Sequence, residues 1–300
     1  MILFRSPVVL MFSLLIFFNS NAYSQTKTPK AVFIIVDGVP ADVMEKLDLP
    51  SFNAIKKAGG YTRTMVGGHP GTYTQTPTIS AVGYNCVLTG VYAHKHNVWG
   101  NDISAPNYQY PNLFRLLKEA QPHKTIGIFS SWQDNRTKLV GEGLTAAGNI
   151  HFDFEYDGLE LDTMRLPHDK EKQYMHRIDD MVSDSAANAI RLSAPDLSWV
   201  YLEYTDDMGH RYGDSEAFYT AVKYADAQVG KIWQAVQYRQ QRFNEDWMIV
   251  ITTDHGRDSS TGHNHGGQSP REKSGWIYSS KRPLNERFSP DQSAIVDIMP

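Results

Sequence analysis

The residues of this chain that could do chemistry are aspartates and histidines at short, regular spacings. Asp206-Asp207-Met208-Gly209-His210 sets a carboxylate and an imidazole four positions apart. Asp254-His255-Gly256 sets the two ligand types side by side, and Gly262-His263-Asn264-His265-Gly266-Gly267 adds two imidazoles on a glycine-rich loop. Imidazole and carboxylate without thiolate suit Zn²⁺ best, with Mn²⁺ or Fe also accommodated. A single histidine on a loop is usually just solvated. Three such motifs together are far more specific.

Those motifs need elements to position them. Residues 31–36 (AVFIIV), 199–202 (WVYL) and 248–252 (MIVIT) are apolar on both faces and read as buried parallel strands, with 125–129 (TIGIF) a weaker member. Helical periodicity falls between them over 113–120, 176–192 and 218–236, the last capped by Asp214 or Ser215. Alternating strands and helices predict an α/β fold with a mainly parallel sheet. The first strand runs into Asp37-Gly38, another into Glu203 to Asp206, and another into Asp254-His255. Ligands gather at the carboxyl ends of strands in such sheets. One aspartate there is as well read as a helix cap; a set of them is a reason to expect a metal site. Residues 141–175 show no period and read as an excursion above the sheet, a candidate substrate-side cap.

Composition excludes other chemistry. The chain has 300 residues, 11 of them His and only one Cys, Cys86, so disulfide scaffolds, thiolate zinc sites and iron–sulfur clusters are out. Cys86 lies in an apolar stretch and reads as a packed core thiol. With 29 Lys+Arg against 33 Asp+Glu the net charge is −4, which disfavours nucleic acid as a bulk partner. Arg5, an apolar run over 8–18 and Ala22-Tyr23-Ser24 form a signal-peptide pattern, with cleavage expected after Ser24. The expectation is an exported domain over residues 25–300, periplasmic or secreted, with no membrane span after cleavage.

Together these residues resemble the alkaline phosphatase superfamily, most closely its nucleotide pyrophosphatase/type I phosphodiesterase branch, over residues 31–300. Asp37 matches the family's Val-Asp-Gly ligand, Asp206 and His210 its Asp-x-x-Gly-His motif, and Thr253 to Gly256 its Thr-Asp-His-Gly motif. His265 in His-Gly-Gly is the better match for the last ligand, His263 the weaker. The nucleophile lies ten residues before the glycine of Leu88-Thr89-Gly90-Val91-Tyr92, which indicates Ser80; Thr76 and Thr78 are rivals disfavoured by spacing. Asn101, beyond His96-Asn97-Val98, matches the residue that binds a phosphoryl oxygen. The resemblance implies a three-layer, alkaline-phosphatase-like sandwich. It implies two divalent ions, one held by Asp206, His210 and His265, the other by Asp37, Asp254, His255 and the Ser80 oxygen. Two dications against three aspartates leave a local charge of about +1, able to attract an anionic ester and acidify a serine hydroxyl.

Two departures qualify the match. Phosphodiesterases of this branch usually have Thr as nucleophile, whereas Ser is typical of monoesterases. Only nine residues separate His255 from His265, where nucleotide pyrophosphatases carry a longer insert. The expected activity is hydrolysis of small phosphorylated substrates, diester or pyrophosphate bonds first and monoesters as the alternative. A sulfatase is disfavoured because Ser80-Ala81-Val82-Gly83-Tyr84 lacks the Pro and Arg of the sulfatase motif, and a non-catalytic metal-binding module because no ligand is missing. Arg136 follows a strand and is a candidate phosphate contact; a surface loop is an equal reading. Asn135-Arg136-Thr137 matches a glycosylation sequon. Ala294 to Pro300 resembles the lead-in to a final helix, so the chain reads as truncated there, with Ile295, Val296 and Ile298 expected to lack a cover.

Overall fold

A computed structural model describes residues 26–282, 284–290 and 292–299. The expected leader, residues 1–24, lies outside the described residues. In chain order the elements are β1 (Thr28–Val36), α1 (Ala41–Lys46), α2 (Pro50–Ala58), β2 (Gly60–Met65), α3 (Ser80–Thr89), α4 (Ala93–His96), α5 (Leu113–Ala120), β3 (Ile126–Ser130), β4 (Phe154–Tyr156), α6 (Gln173–Leu192), β5 (Leu197–Leu202), α7 (Tyr204–Tyr212), α8 (Glu216–Arg242), β6 (Glu245–Thr252) and β7 (Ser274–Ser279).

The strands form one seven-stranded sheet in the order β2-β7-β6-β1-β5-β3-β4. Pairing is parallel from β6 to β4, and β7 runs antiparallel to both its neighbours. β1 is central because both its faces are apolar. Val32, Ile34 and Val36 pack with helices α2, α6 and α8; Phe33 and Ile35 pack on the opposite side with α3 and α5. Each fully buried Ile there contributes roughly 1.5–3 kcal/mol. Two apolar layers on one sheet make the three-layer α/β sandwich. Ser215 caps α8 by accepting from the Phe218 N–H at 3.3 Å.

The register aligns the strand ends. Val36 of β1 pairs with Leu202 of β5, and Ile35 with Thr252 of β6, so the next residues of all three strands emerge at one edge. Asp37, Glu203 to Asp206 and Asp254-His255 are delivered there together.

The structure adds elements to those expected. The 141–175 segment is not only an excursion: Phe154–Tyr156 adds β4 to the sheet edge beside β3, a strand too short to show a period. β2 and β7, with mixed sequences GYTRTM and SGWIYS, were not anticipated. Ile295 is buried in the α3-side core, whereas Val296 and Ile298 pack against that core only in part and keep some exposure. Cys86 is buried in the same core, its Sγ 3.4 Å from His96 Nε2. Asn135 of the sequon is fully buried and donates to Ser130 Oγ at 3.1 Å, which makes it inaccessible to a glycan. Among the described residues no helix is long and apolar enough to cross a membrane.

Candidate metal centre

Helix geometry explains the Asp206/His210 spacing. Residues four apart share a helix face, and on α7 this brings His210 Nε2 to 3.2 Å from Asp206 Oδ2. Asp206 in the first turn and His210 in the last also suit the helix dipole. The start of α7 is held from a distance: buried Asp179 of α6 accepts from the Glu203 and Tyr204 N–H groups at 3.1 and 2.9 Å and from the Ser131 hydroxyl at 2.5 Å.

Two clusters of ligand atoms result. Asp206, His255 and His265 offer atoms within 4.8 Å of one another, and so do Asp37, Asp254 and His255. His210 Nε2 lies 3.0 Å from His265 Nε2 and joins the first. His255 stands between the two, its ring stacked on that of His265 at 3.7 Å.

These atoms fit metal ions on their own chemistry. His255 Nδ1 lies 2.9 Å from the Gly256 carbonyl and His265 Nδ1 lies 2.8 Å from the Thr78 carbonyl. A carbonyl only accepts, so each Nδ1 carries the proton and each Nε2 presents a lone pair to the cluster. Asp37 Oδ1 and Asp254 Oδ2 are buried acceptors with no hydrogen-bond donor among the described residues. A buried oxygen without a partner is costly, and a cation at this point would satisfy both. The other oxygens are accounted for. Asp254 Oδ1 accepts from the Gly38 N–H at 3.1 Å, and Asp37 Oδ2 accepts from the Tyr201 hydroxyl at 2.6 Å and from the Tyr84 hydroxyl.

The proton affinities follow from this crowding. Burial, then the charges of Asp254 and Asp206, raises Asp37 well above the usual carboxylate range. Burial, with the Asp206 charge, pushes Asp254 up to about 7. Burial would raise Asp206 too, but the His210 hydrogen bond and the Arg257 charge hold it below its ordinary value. Burial keeps His255 and His265 neutral, the first also through the nearby His265. The sign for metal binding is therefore fixed by the carboxyls: below about 7 Asp254 holds a proton that a cation must displace. Zn²⁺ affinity is expected to weaken as pH falls through about 7, with protons released on binding. Titration calorimetry in buffers of different ionisation enthalpy checks this; affinity independent of pH between about 6 and 8 contradicts it.

Ser80 is the first residue of α3 and is buried beside the second cluster, its Oγ 3.3 Å from His255 Nε2. Asn101 Oδ1 accepts from the Ala81 N–H at 3.0 Å. That bond fixes the amide orientation and leaves its NH₂ free to donate. Both residues line a cleft of about 120 Å³ with Asp37, Asp206, Tyr84, Trp132, Tyr201 and Glu203. The rivals are occupied elsewhere: Thr78 Oγ1 donates to the Gly267 carbonyl at 2.9 Å and Thr76 Oγ1 to the Thr74 carbonyl at 3.0 Å. His263 Nδ1 donates to the His210 carbonyl at 2.8 Å, and His263 belongs to neither cluster.

Arg136 is not brought to the cleft. Its guanidinium is held by Asp157 at 2.7 and 2.9 Å, by Glu142 at 2.5 Å and by Glu155 at 3.2 Å. Four of the five guanidinium N–H donors are thus taken by carboxylates. Arg136 stands in an ion-pair cluster with Glu142, Glu155 and Asp157 rather than among the residues that line the cleft. Conversely, the site roles of Tyr84, Tyr201 and Arg257 escaped sequence reasoning, and Glu203 reads from sequence only as part of a strand end. Tyr84 falls one helical turn after Ser80 and Arg257 directly follows the Asp-His-Gly motif, which are the only signals for them.

The arrangement has relatives. The chain is 22% identical over 236 residues to a venom phosphodiesterase of Crotalus durissus collilineatus, covering 76% of this chain and 26% of that protein. It thus spans about a quarter of the length of the curated relatives it matches. Among solved structures, a 2-O GAG sulfatase superposes with a TM-score of 0.62 at 12% identity, over 90% of this chain and 68% of that one. Murine ectonucleotide pyrophosphatase/phosphodiesterase 5 in complex with AMP gives 0.52 at 16% identity, over 76% of this chain and 57% of that one. These superpositions speak for an alkaline-phosphatase-like fold. The model of the type I phosphodiesterase/nucleotide pyrophosphatase family matches residues 31–275, and the chain belongs to that family of the alkaline phosphatase superfamily.

Proposed function

We propose that this chain is an exported, metal-dependent hydrolase of phosphate esters, acting first on diester or pyrophosphate bonds through a phosphoseryl intermediate on Ser80. The observation that carries this is the Ser80 hydroxyl at the head of α3, 3.3 Å from an imidazole shared by two His/Asp clusters. Asp206, His210 and His265 would hold one divalent ion, and Asp37, Asp254, His255 and the Ser80 oxygen the other, with Zn²⁺ the ion the donors suit best. Such ions supply Lewis acidity to the attacking and departing oxygens. The leader over residues 1–24 would direct export, to the periplasm or beyond.

The chain's own groups do the rest. Ser80 Oγ forms a bond to phosphorus as the bond to the leaving oxygen breaks, and water then hydrolyses the phosphoseryl ester. The N-terminus of α3 faces the phosphoryl group with the positive end of its dipole. Asn101, held by the Ala81 N–H, donates its amide to an equatorial oxygen as charge gathers there. Removing that donor by Asn101→Ala is expected to lower kcat by about 10²–10³-fold with metal content unchanged. A loss smaller than about threefold in stopped-flow turnover would exclude the role.

Phosphomonoesters are the second reading, favoured by serine at the nucleophile position and by the small cleft. Acid quench during turnover followed by peptide mass spectrometry tests the intermediate. A phosphoryl adduct on Ser80, still carrying the non-leaving ester group when the substrate is a diester, supports the reading; turnover with no such adduct contradicts it.

A further inference from the structure

Arg257 lies two residues beyond His255 and is completely buried, within reach of both ligand clusters. A guanidinium carries five N–H donors in a rigid fork, and here each has an acceptor. Nε donates to the Gly262 carbonyl at 2.6 Å. Nη1 donates to Asp206 Oδ1 at 2.5 Å and to the Gly38 carbonyl at 3.5 Å. Nη2 donates to the Asp206 and His263 carbonyls, both at 3.3 Å.

The partners come from every strand-end segment that bears a ligand. Gly38 follows Asp37; Asp206 is itself a ligand; Gly262 and His263 belong to the loop that carries His265; Arg257 extends the Asp254-His255 segment. Space for the fork is built in. A Cβ on Gly209 would lie 2.3 Å from the guanidinium carbon, and one on Gly38 would lie 2.3 Å from Asp206 Oδ1 and 2.8 Å from Nη1. Gly38 also has a φ of +66°, so the turn after Asp37 and the guanidinium both require glycine there.

A cation buried among groups that would bind cations opposes the metal electrostatically. What it offers in return is geometry. We infer that Arg257 is a positioning residue that assembles the Asp206/His210/His265 site, docking the 261–265 loop onto α7 and engaging Asp206 Oδ1 so that Oδ2, beside His210, is the oxygen offered to the ion. The inference rests on the proposal that these residues hold metal.

Metal content, not turnover, tests it. Zn²⁺ binding to the full chain and to Arg257→Met and Arg257→Lys is followed by competition with a chromophoric chelator, with elemental analysis after gel filtration. Wild type is expected to retain two ions per chain and Arg257→Met about one, the weaker site losing affinity on the order of 10–100-fold. Lysine keeps the charge but not the fork, so Arg257→Lys is expected to follow the Met variant. Two opposite results overturn the inference: wild-type affinity in Arg257→Met, or tighter binding, which would make the residue only an electrostatic brake. Should Arg257→Met fail to fold by near-UV circular dichroism, Arg257→Lys decides, and wild-type affinity there overturns the inference too. A wild-type chain that binds no metal would instead overturn the function proposed above.

Discussion

Alanine at position 80 is expected to reduce turnover by about 10⁴-fold or more, because no second hydroxyl can take over the attack. Thr76 and Thr78 spend their protons on backbone carbonyls and lie outside the cleft lining, and the tyrosine hydroxyls that do line it, Tyr84 and Tyr201, donate to Asp37 Oδ2. The same substitution removes only one oxygen from a cluster whose other donor groups are Asp37, Asp254 and His255. Metal content should therefore stay near two ions per chain, and the melting temperature should change little. Single-turnover kinetics with elemental analysis separates the roles. Full activity in Ser80→Ala would remove Ser80 as nucleophile, whereas loss of both activity and metal would make it chiefly a ligand.

Removing the metal is expected to abolish hydrolysis and to lower the melting temperature together. Asp37 Oδ1 and Asp254 Oδ2 are buried without donors, and neighbouring carboxylates repel one another in a poorly solvated site. The bound ions would offset both costs. A ligand present at 1,000 times its Kd stabilises the folded state by about 4 kcal/mol, roughly 10 °C for a domain of this size. EDTA treatment should produce a fall of that order, and added Zn²⁺ should restore both stability and activity. Hydrolysis indifferent to chelator would remove the metal account, and an unchanged melting temperature in EDTA would show that the clusters bind no ion in solution.

Parts of this architecture were legible in the sequence for a physical reason. β1, β5 and β6 all read as continuous apolar runs, the signature of burial on both faces, although in β6 Met248 is exposed and Val250 only half-buried. The ligand motifs are local: helix periodicity joins Asp206 to His210, and a strand end joins Asp254 to His255. β2 and β7 stayed hidden because GYTRTM and SGWIYS mix polar and aromatic residues, and their pairing is visible only once the chain has folded. β4 has only three residues. The roles of Tyr84, Tyr201 and Arg257 depend on partners far away in sequence, such as Asp37 for both tyrosine hydroxyls. The ion pairs of Arg136 are hidden for the same reason. Glu142, Glu155 and Asp157, which hold it, lie in the aperiodic segment where no pattern announces them.

The central claim is phosphate ester hydrolysis, and one comparison reaches it most directly. The Zn²⁺-loaded chain is assayed side by side on bis-p-nitrophenyl phosphate, p-nitrophenyl phosphate and p-nitrophenyl sulfate, which share one leaving group and differ only in the group transferred. The expected order is diester first, monoester second and sulfate far behind, with all activity lost in EDTA. Sulfate as the preferred substrate, or no hydrolysis of either phosphate ester by metal-loaded protein, would contradict the claim.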